Sequence, residues 1–308
     1  MQLQPLFFMK RFLLLCFVAL IPHGLCAEET PIKHRFLCSD YSGGKVCIVG
    51  VDGQIEWRVE ARNPQDCWML PNGNVLFSHS TGAKEVTMKK EVVWEYKAPA
   101  GVEIHSAQPL ADGNVMIVEC GTKRIIEVNR EGQIVKEVPL HPDPKVAAHG
   151  QFRGGRKLAN GHYVVPFMSE RKVVELDGEG NVVREVPVPG FPHGVVPLRN
   201  GNWIVTNGDG HQVLEIGTDG KTVWQLSEND LPGNPIRLTV GTQRLPNGNT
   251  IICNWLGHGH FGENPHLYEV NVEKKLVWSF ADHAQFRAIS QVQILDEGIL
   301  GKPWEVSR

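Results

Sequence analysis

The chain has no excess of positive charge: 31 Lys and Arg stand against 34 Asp and Glu, a formal net charge of −3. This argues against a nucleic-acid partner and gives no electrostatic case for membrane binding. Past residue 27 no stretch is apolar for long enough to cross a bilayer. Cysteine is sparse there too. Cys38, Cys47, Cys67, Cys120 and Cys253 remain, and an odd number excludes a fully paired intramolecular framework. No Gly-rich phosphate loop opens a helix after a strand, and no G-x-S-x-G element is present, so nucleotide binding and a serine-elbow hydrolase lack support.

What is present begins with "MKRFLLLCFVALIPHGLCA" (9–27), which has a basic start, an apolar core and small residues before Glu28. This reads as a secretory signal peptide cleaved after Cys26 or Ala27; His23-Gly24-Leu25 is a poor lipidation context for Cys26. Its loss removes Lys10 and Arg11 and no acid, taking the charge from −3 to −5. The expected product is an exported protein of one domain, 28–308. Cys38 and Cys47 flank "SDYSGGKV" symmetrically. They face each other across a hairpin either as a disulfide or as two packed thiols; opposed strand positions strain the former.

One eight-residue phrase recurs: "LPNGNVLF" (70–77), "LADGNVMI" (110–117), "LANGHYVV" (158–165), "LRNGNWIV" (198–205) and "LPNGNTII" (245–252). Asn-Gly and Asp-Gly accept the positive φ angles of tight hairpin turns, so each copy reads as a turn between antiparallel strands. Its glycines, at 73, 113, 161, 201 and 248, are 40, 48, 40 and 47 residues apart. A second phrase alternates with it, as in "MKKEVVW" (88–94) and "GTDGKTVW" (217–224), and occurs six times. Two hairpin turns per unit mean four strands per unit, the signature of a β-propeller blade. "QILDEG" (293–298) is the sixth, worn copy of the first phrase. The expected fold is all-β: six four-stranded antiparallel blades, with a C-terminal strand near 289–295 completing the N-terminal blade and closing the ring.

At these phrases the chain resembles known families. "LYEVNVEKKLVWSF" and "VLEIGTDGKTVWQL" look like the repeats of pyrroloquinoline-quinone-type (PQQ-like) propellers, whose blades end in a docking Trp. "EIHSAQPLADGNVMIVE" and "FPHGVVPLRNGNWIVTN" are similar to the pattern of arylsulfotransferase-type propellers. The second resemblance implies a channel histidine as nucleophile, matched here by His105 or His193. The quinoproteins have eight blades and a quinone site; this chain has neither the length nor the site, so PQQ is not expected as cofactor.

Propeller geometry sorts loops into two faces. The turns within the phrases share one. Long segments 140–155, 226–239 and 254–266 fall on the other, where propellers place function. Ten of the twelve histidines after residue 27 map there, all but His34 and His162. His105 and His193 stand five residues before the phrase leucines Leu110 and Leu198, at the channel end of an innermost strand, and His149 with Arg153 is expected to do the same. His105, His193 and His149 are the candidate proton carriers or nucleophiles. Arg153, Arg287, Gln243, Gln291 and Trp255 are the candidate ligand contacts, with Arg237 as a further cation. The loop "HGHFGENPH" (258–266) offers His258, His260, Glu263 and His266 to a divalent metal such as zinc.

Periodicity assigns other residues to structure. Trp57, Trp94, Trp224 and Trp278 recur at one blade position as packing residues, and Glu127, Glu175, Glu215 and Glu269 recur on third strands as links between blades. Three classes of function remain: a propeller binding a sugar or other small molecule in a His/Arg-lined pocket, an exported lyase, hydrolase or transferase, and a scaffold for a protein partner.

Overall fold

The computed structural model describes Met1, Gln2 and residues 33–298. The segment expected to be a signal peptide, 9–27, lies outside the described residues. The remainder forms six four-stranded antiparallel sheets arranged as the blades of a β-propeller. Blade 1 holds β1 (Phe36–Asp40), β2 (Lys45–Val49) and β3 (Ile55–Glu60). Blade 2 holds β4 (Cys67–Met69), β5 (Val75–His79), β6 (Gly82–Val86) and β7 (Val92–Lys97). Blade 3 holds β8 (Glu103–Pro109), β9 (Val115–Cys120), β10 (Arg124–Val128) and β11 (Ile134–Pro139). A one-turn helix, α1 (Ala148–Gln151), precedes blade 4: β12 (Arg156–Lys157), β13 (Tyr163–Phe167), β14 (Lys172–Leu176) and β15 (Val182–Pro187). Blade 5 is β16 (Gly194–Pro197), β17 (Trp203–Thr206), β18 (Gln212–Ile216) and β19 (Thr222–Ser227). Blade 6 is β20 (Leu238–Arg244), β21 (Thr250–Trp255), β22 (Leu267–Val270) and β23 (Leu276–Phe280). The last strand, β24 (Ile289–Ile294), returns to pair with β1 as the innermost strand of blade 1, as the repeat count anticipates.

The turn phrase works differently from a two-residue hairpin. Positive φ falls on its glycines alone, +82 at Gly73 and +89 at Gly113, whereas Asn72 and Asp112 are absent from the positive-φ residues. Leu70 N donates to Asn74 O and Gly73 N to Leu70 O, closing a four-residue loop. The Asn or Asp side chain instead accepts the amide two residues on, at 3.0 Å from Asn72, Asp112, Asn160, Asn200 and Asn247 alike. One local hydrogen-bond pattern repeated five times is why the phrase survives in the sequence.

The recurring Trp and Glu residues tie blade to blade. Trp57, Trp94 and Trp224 each donate an indole N–H to a turn carbonyl of the next blade, at Met88, Asn129 and Val272. In blade 4 Arg184 holds the equivalent position, lies over the Trp203 ring and donates to Gly217 and Thr218 O. Glu85 pairs with Arg130, Glu127 with Lys157 and Glu215 with Arg244, each in the following blade. A further staple escapes the sequence reading: the side-chain oxygens of Gln108, Gln243 and Gln293 accept the backbone amides of Lys157, Ile294 and Met69 on the next innermost strand, each at 2.8 Å. The side-chain oxygen of Gln243, expected as a ligand contact, is thus engaged in stapling the ring. Cys38 and Cys47 sit directly opposite each other and are buried free thiols; burial pushes Cys47 up to about 12.

Ring closure depends on His34, which bridges Glu269 of blade 6 (2.8 Å) and Asp296 after β24 (2.6 Å). Burial works to lower its pKa, but the bonds to the two carboxylates outweigh it and raise the group above 6.5. A histidine with a raised folded pKa contributes stability that is fully present below its unfolded pKa and lost as pH rises through the folded one. The stability difference between the wild-type chain and His34→Gln is therefore expected to reach about 1–3 kcal/mol near pH 6 and to shrink toward alkaline pH, read from urea midpoints across the range. A difference that grows with pH contradicts the bridge.

Candidate functional site

Counting five residues back from each phrase Leu, with Leu295 as the sixth, gives Gln65, His105, Arg153, His193, Val240 and Ser290, one per blade. These residues rim the central channel on the loop-rich face. Above them lies a cleft with a main lobe of about 450 Å³ and a side lobe of about 340 Å³ that share Tyr41, Gln65 and His149. Below, the channel narrows to a neck of about 30 Å³. The neck is lined by a buried ion pair across the ring, Arg156 Nη1 to Asp66 Oδ2 at 3.0 Å.

The main lobe has an aromatic wall of Tyr41, Phe191 and Trp255, with Trp255 edge-on to Tyr41 (6.1 Å) and to His258 (4.8 Å). Arg153, 5% exposed, lines the same lobe. Its Nη1 donates to the carbonyls of His149 (2.7 Å) and Phe152 (2.8 Å), and its Nη2 lies 3.4 Å from His149 Nε2. No carboxylate forms an ion pair with this guanidinium among the described residues. Burial lowers its pKa while the more distant Glu103 charge works against that.

His193 is half-buried beside Arg153. Its Nδ1 is 2.8 Å from Phe191 O, which can only accept, so the proton sits on Nδ1 and Nε2 carries the lone pair. Desolvation first and the Arg153 charge second hold it down to about 3. Gly208, at φ +27, makes room for the ring: a Cβ there meets His193 Nδ1 at 2.2 Å and Phe191 O at 2.5 Å. His105 is held down to about 4 by the same two causes. Its Nε2 lies 3.2 Å from Glu103 Oε2, yet neither ring nitrogen has a hydrogen-bond partner of acceptable angle. His149 is not on an innermost strand, contrary to expectation. It sits on α1 in the link between blades, 65% exposed, and reaches back to Glu103 Oε2 at 2.8 Å. The two imidazoles beside it, His105 first, hold Glu103 down to about 2.

The structure thus brings His105, His149, Arg153, His193 and Trp255 into one cleft and places Gln291 at the neck below it. Arg287 stacks over Phe261 (4.7 Å), and Arg237 donates to Asn234 O (2.7 Å); neither lines the cleft. The four proposed metal ligands of the histidine loop do not converge. His258 packs on Trp255, His260 bonds Glu263 at 2.8 Å, and His266 is buried against His283 at 4.8 Å. The loop turns left-handed at His258 and Gly259, which points its imidazoles apart. Sequence reasoning missed Glu103, Tyr41, Phe191 and Ser290. Two of these carried a signal: Glu103 stands two residues from His105 on one extended strand, and Ser290 stands five residues before Leu295.

No family model matches the chain, and no curated protein matches it. It is similar to the crystal structure of a protein of unknown function from Bacteroides caccae, with 29% identity and a TM-score of 0.78 over 86% of this chain and 100% of that one. Virginiamycin B lyase from Staphylococcus aureus is 13% identical, with a TM-score of 0.58 over 83% of this chain and 85% of the lyase. A catalytically inactive histidine-to-alanine form of that lyase, solved with quinupristin, is 16% identical with a TM-score of 0.54, over 72% of each chain. The likeness to the lyase is one of fold.

Proposed function

We propose that the protein binds a small organic anion, one that carries a ring, in the cleft on its loop-rich face. The observation that carries this reading is Arg153: a buried guanidinium in the cleft wall with no carboxylate paired to it among the described residues. A buried cation is costly unless an opposite charge meets it, and a carboxylate or sulfate meets a guanidinium through paired hydrogen bonds. The aromatic side chains of the same lobe supply a face for the ring, and about 450 Å³ suits a ligand of sugar or aryl size. The basic and apolar segment 9–27 supports a protein that does this outside the cytoplasm.

A second reading, a transferase of the arylsulfotransferase kind or a lyase, rests on His193. A histidine held down to about 3 is a poor general base at neutral pH, where the best base titrates near the working pH. The same lowering keeps the imidazole neutral with Nε2 bare, which is the form a nucleophile needs. Binding without turnover remains the better supported function.

Thermal shift with uronates, aryl sulfates and neutral sugars tests both. An anionic ring compound at about a hundredfold excess over its Kd is expected to raise Tm by about 5–10 °C. Arg153→Gln is expected to remove the shift. Equal shifts with neutral sugars, or a shift kept in Arg153→Gln, reject the anion. Release of the aryl alcohol from a sulfate ester, lost in His193→Ala, establishes the enzyme instead.

A further inference from the structure

We propose that Glu103, His105 and His149 form a binding site for one divalent transition-metal ion, with zinc the best match to the donors, where the two lobes of the cleft join. One ligand atom from each lies within 4.8 Å of the others, the single such group of three among the described residues. Glu103 and His105 share β8, so a rigid strand sets two of the donors; α1 brings the third from the next blade link. Two imidazoles and one carboxylate are a known zinc set that leaves the fourth position open, here toward the cleft.

The second observation is the state of His105. Its ring is 7% exposed and neither nitrogen has a hydrogen-bond partner, although a carboxylate oxygen stands 3.2 Å from Nε2. A buried imidazole without such a partner loses free energy that a bound ion restores. His149 must shift its proton from Nδ1 to Nε2, and its exposure leaves it free to turn as it does so.

Arg153 is the unfavourable neighbour, with Nη2 at 3.4 Å from His149 Nε2. It stays anchored through Nη1 to two carbonyls and gives up only that one contact. Zinc with Glu103 and Arg153 carries a net charge of +2, so a loaded site binds an anion more strongly, through the open metal position and the guanidinium together. The metal site does not rest on the anion-binding reading, because it is tested with the metal alone.

Zinc chloride is titrated into the full chain after dialysis against chelator, with heat and the visible spectrum of a cobalt(II) substitute as readouts. One ion per chain is expected, with affinity reduced about tenfold or more in Glu103→Gln and in His149→Ala. His149→Ala removes a side chain that is 65% exposed, so its metal-free melting temperature should match the wild type. His260→Ala is expected to bind as the wild type does. Absence of binding, equal affinity in wild type and His149→Ala, or a loss confined to His260→Ala overturns the proposal.

Discussion

A chain ending at Ala288, without β24, is expected not to fold. The truncation removes Ile289, Val292 and Ile294, all fully buried, and Leu295 at 4% exposure. Deleting a buried aliphatic side chain costs about 2–5 kcal/mol, and three or four such losses together are as large as the roughly 5–15 kcal/mol by which a domain is stable. The backbone loses as much: β1 is left with an open edge from Phe36 to Asp40, facing the channel instead of a partner strand. Met69 N loses Gln293, Gln243 loses Ile294 N, and His34 loses Asp296, so blades 2 and 6 are unstapled from blade 1 at once. A synthetic peptide of residues 287–298 added to the truncated chain is expected to restore part of the fold by β-strand addition. Tryptophan fluorescence in urea reads both effects. A truncated chain that melts cooperatively at the wild-type midpoint refutes closure by β24, and Val292→Lys, a point change in the same strand, separates lost packing from lost chain length.

The ring was legible because the turns carry it. The Leu-x-x-Gly phrase recurs since the Asn or Asp side chain, the glycine at positive φ and the following amide repeat one local pattern in each blade. Part of the cleft followed from the same register: His105 and His193 are five residues before a phrase Leu, and Arg153 is too. Gln65, Val240 and Ser290 hold that position in the other blades but share no residue type with the histidines, so composition gives no hint of them. The stapling role of Gln243 was missed, although the sequence itself contains the signal. Gln108, Gln243 and Gln293 all stand two residues before a phrase Leu, and periodicity of that kind marks a structural position, as it did for Trp57 and Trp94. The histidine loop misled because closeness along the chain is not convergence: His258 and His260 are neighbours in sequence yet turn to different partners. Glu103 and His149, 46 residues apart, meet only because one blade link folds back over the preceding blade.

Asp66→Ala is expected to lower stability by about 3–5 kcal/mol, the cost of removing one partner from a buried ion pair. Asp66 and Arg156 are 2% and 3% exposed, and their contact crosses the ring from the second blade to the fourth. Arg156 lies over the Trp68 ring at 5.2 Å and donates to Gly155 O, contacts that hold the guanidinium in the channel when the carboxylate is gone. Asp66 also accepts the amide of Ala107 on β8, so the substitution loosens a third blade. If the loss comes from a charge left buried, Arg156→Met in the Asp66→Ala background should recover most of it, because apolar packing replaces such pairs at little or no cost. Urea midpoints of the single and double variants decide the matter; a double variant no more stable than the single places the loss in the other contacts of Asp66, that with the Ala107 amide among them. The functional consequence follows from position. The pair lines the neck of about 30 Å³ beneath the cleft, room for no more than a few waters. The repaired double variant should recover most of its melting temperature yet show a weaker shift with anionic ligands, since Gln65 and His105 line the same neck as the lost pair.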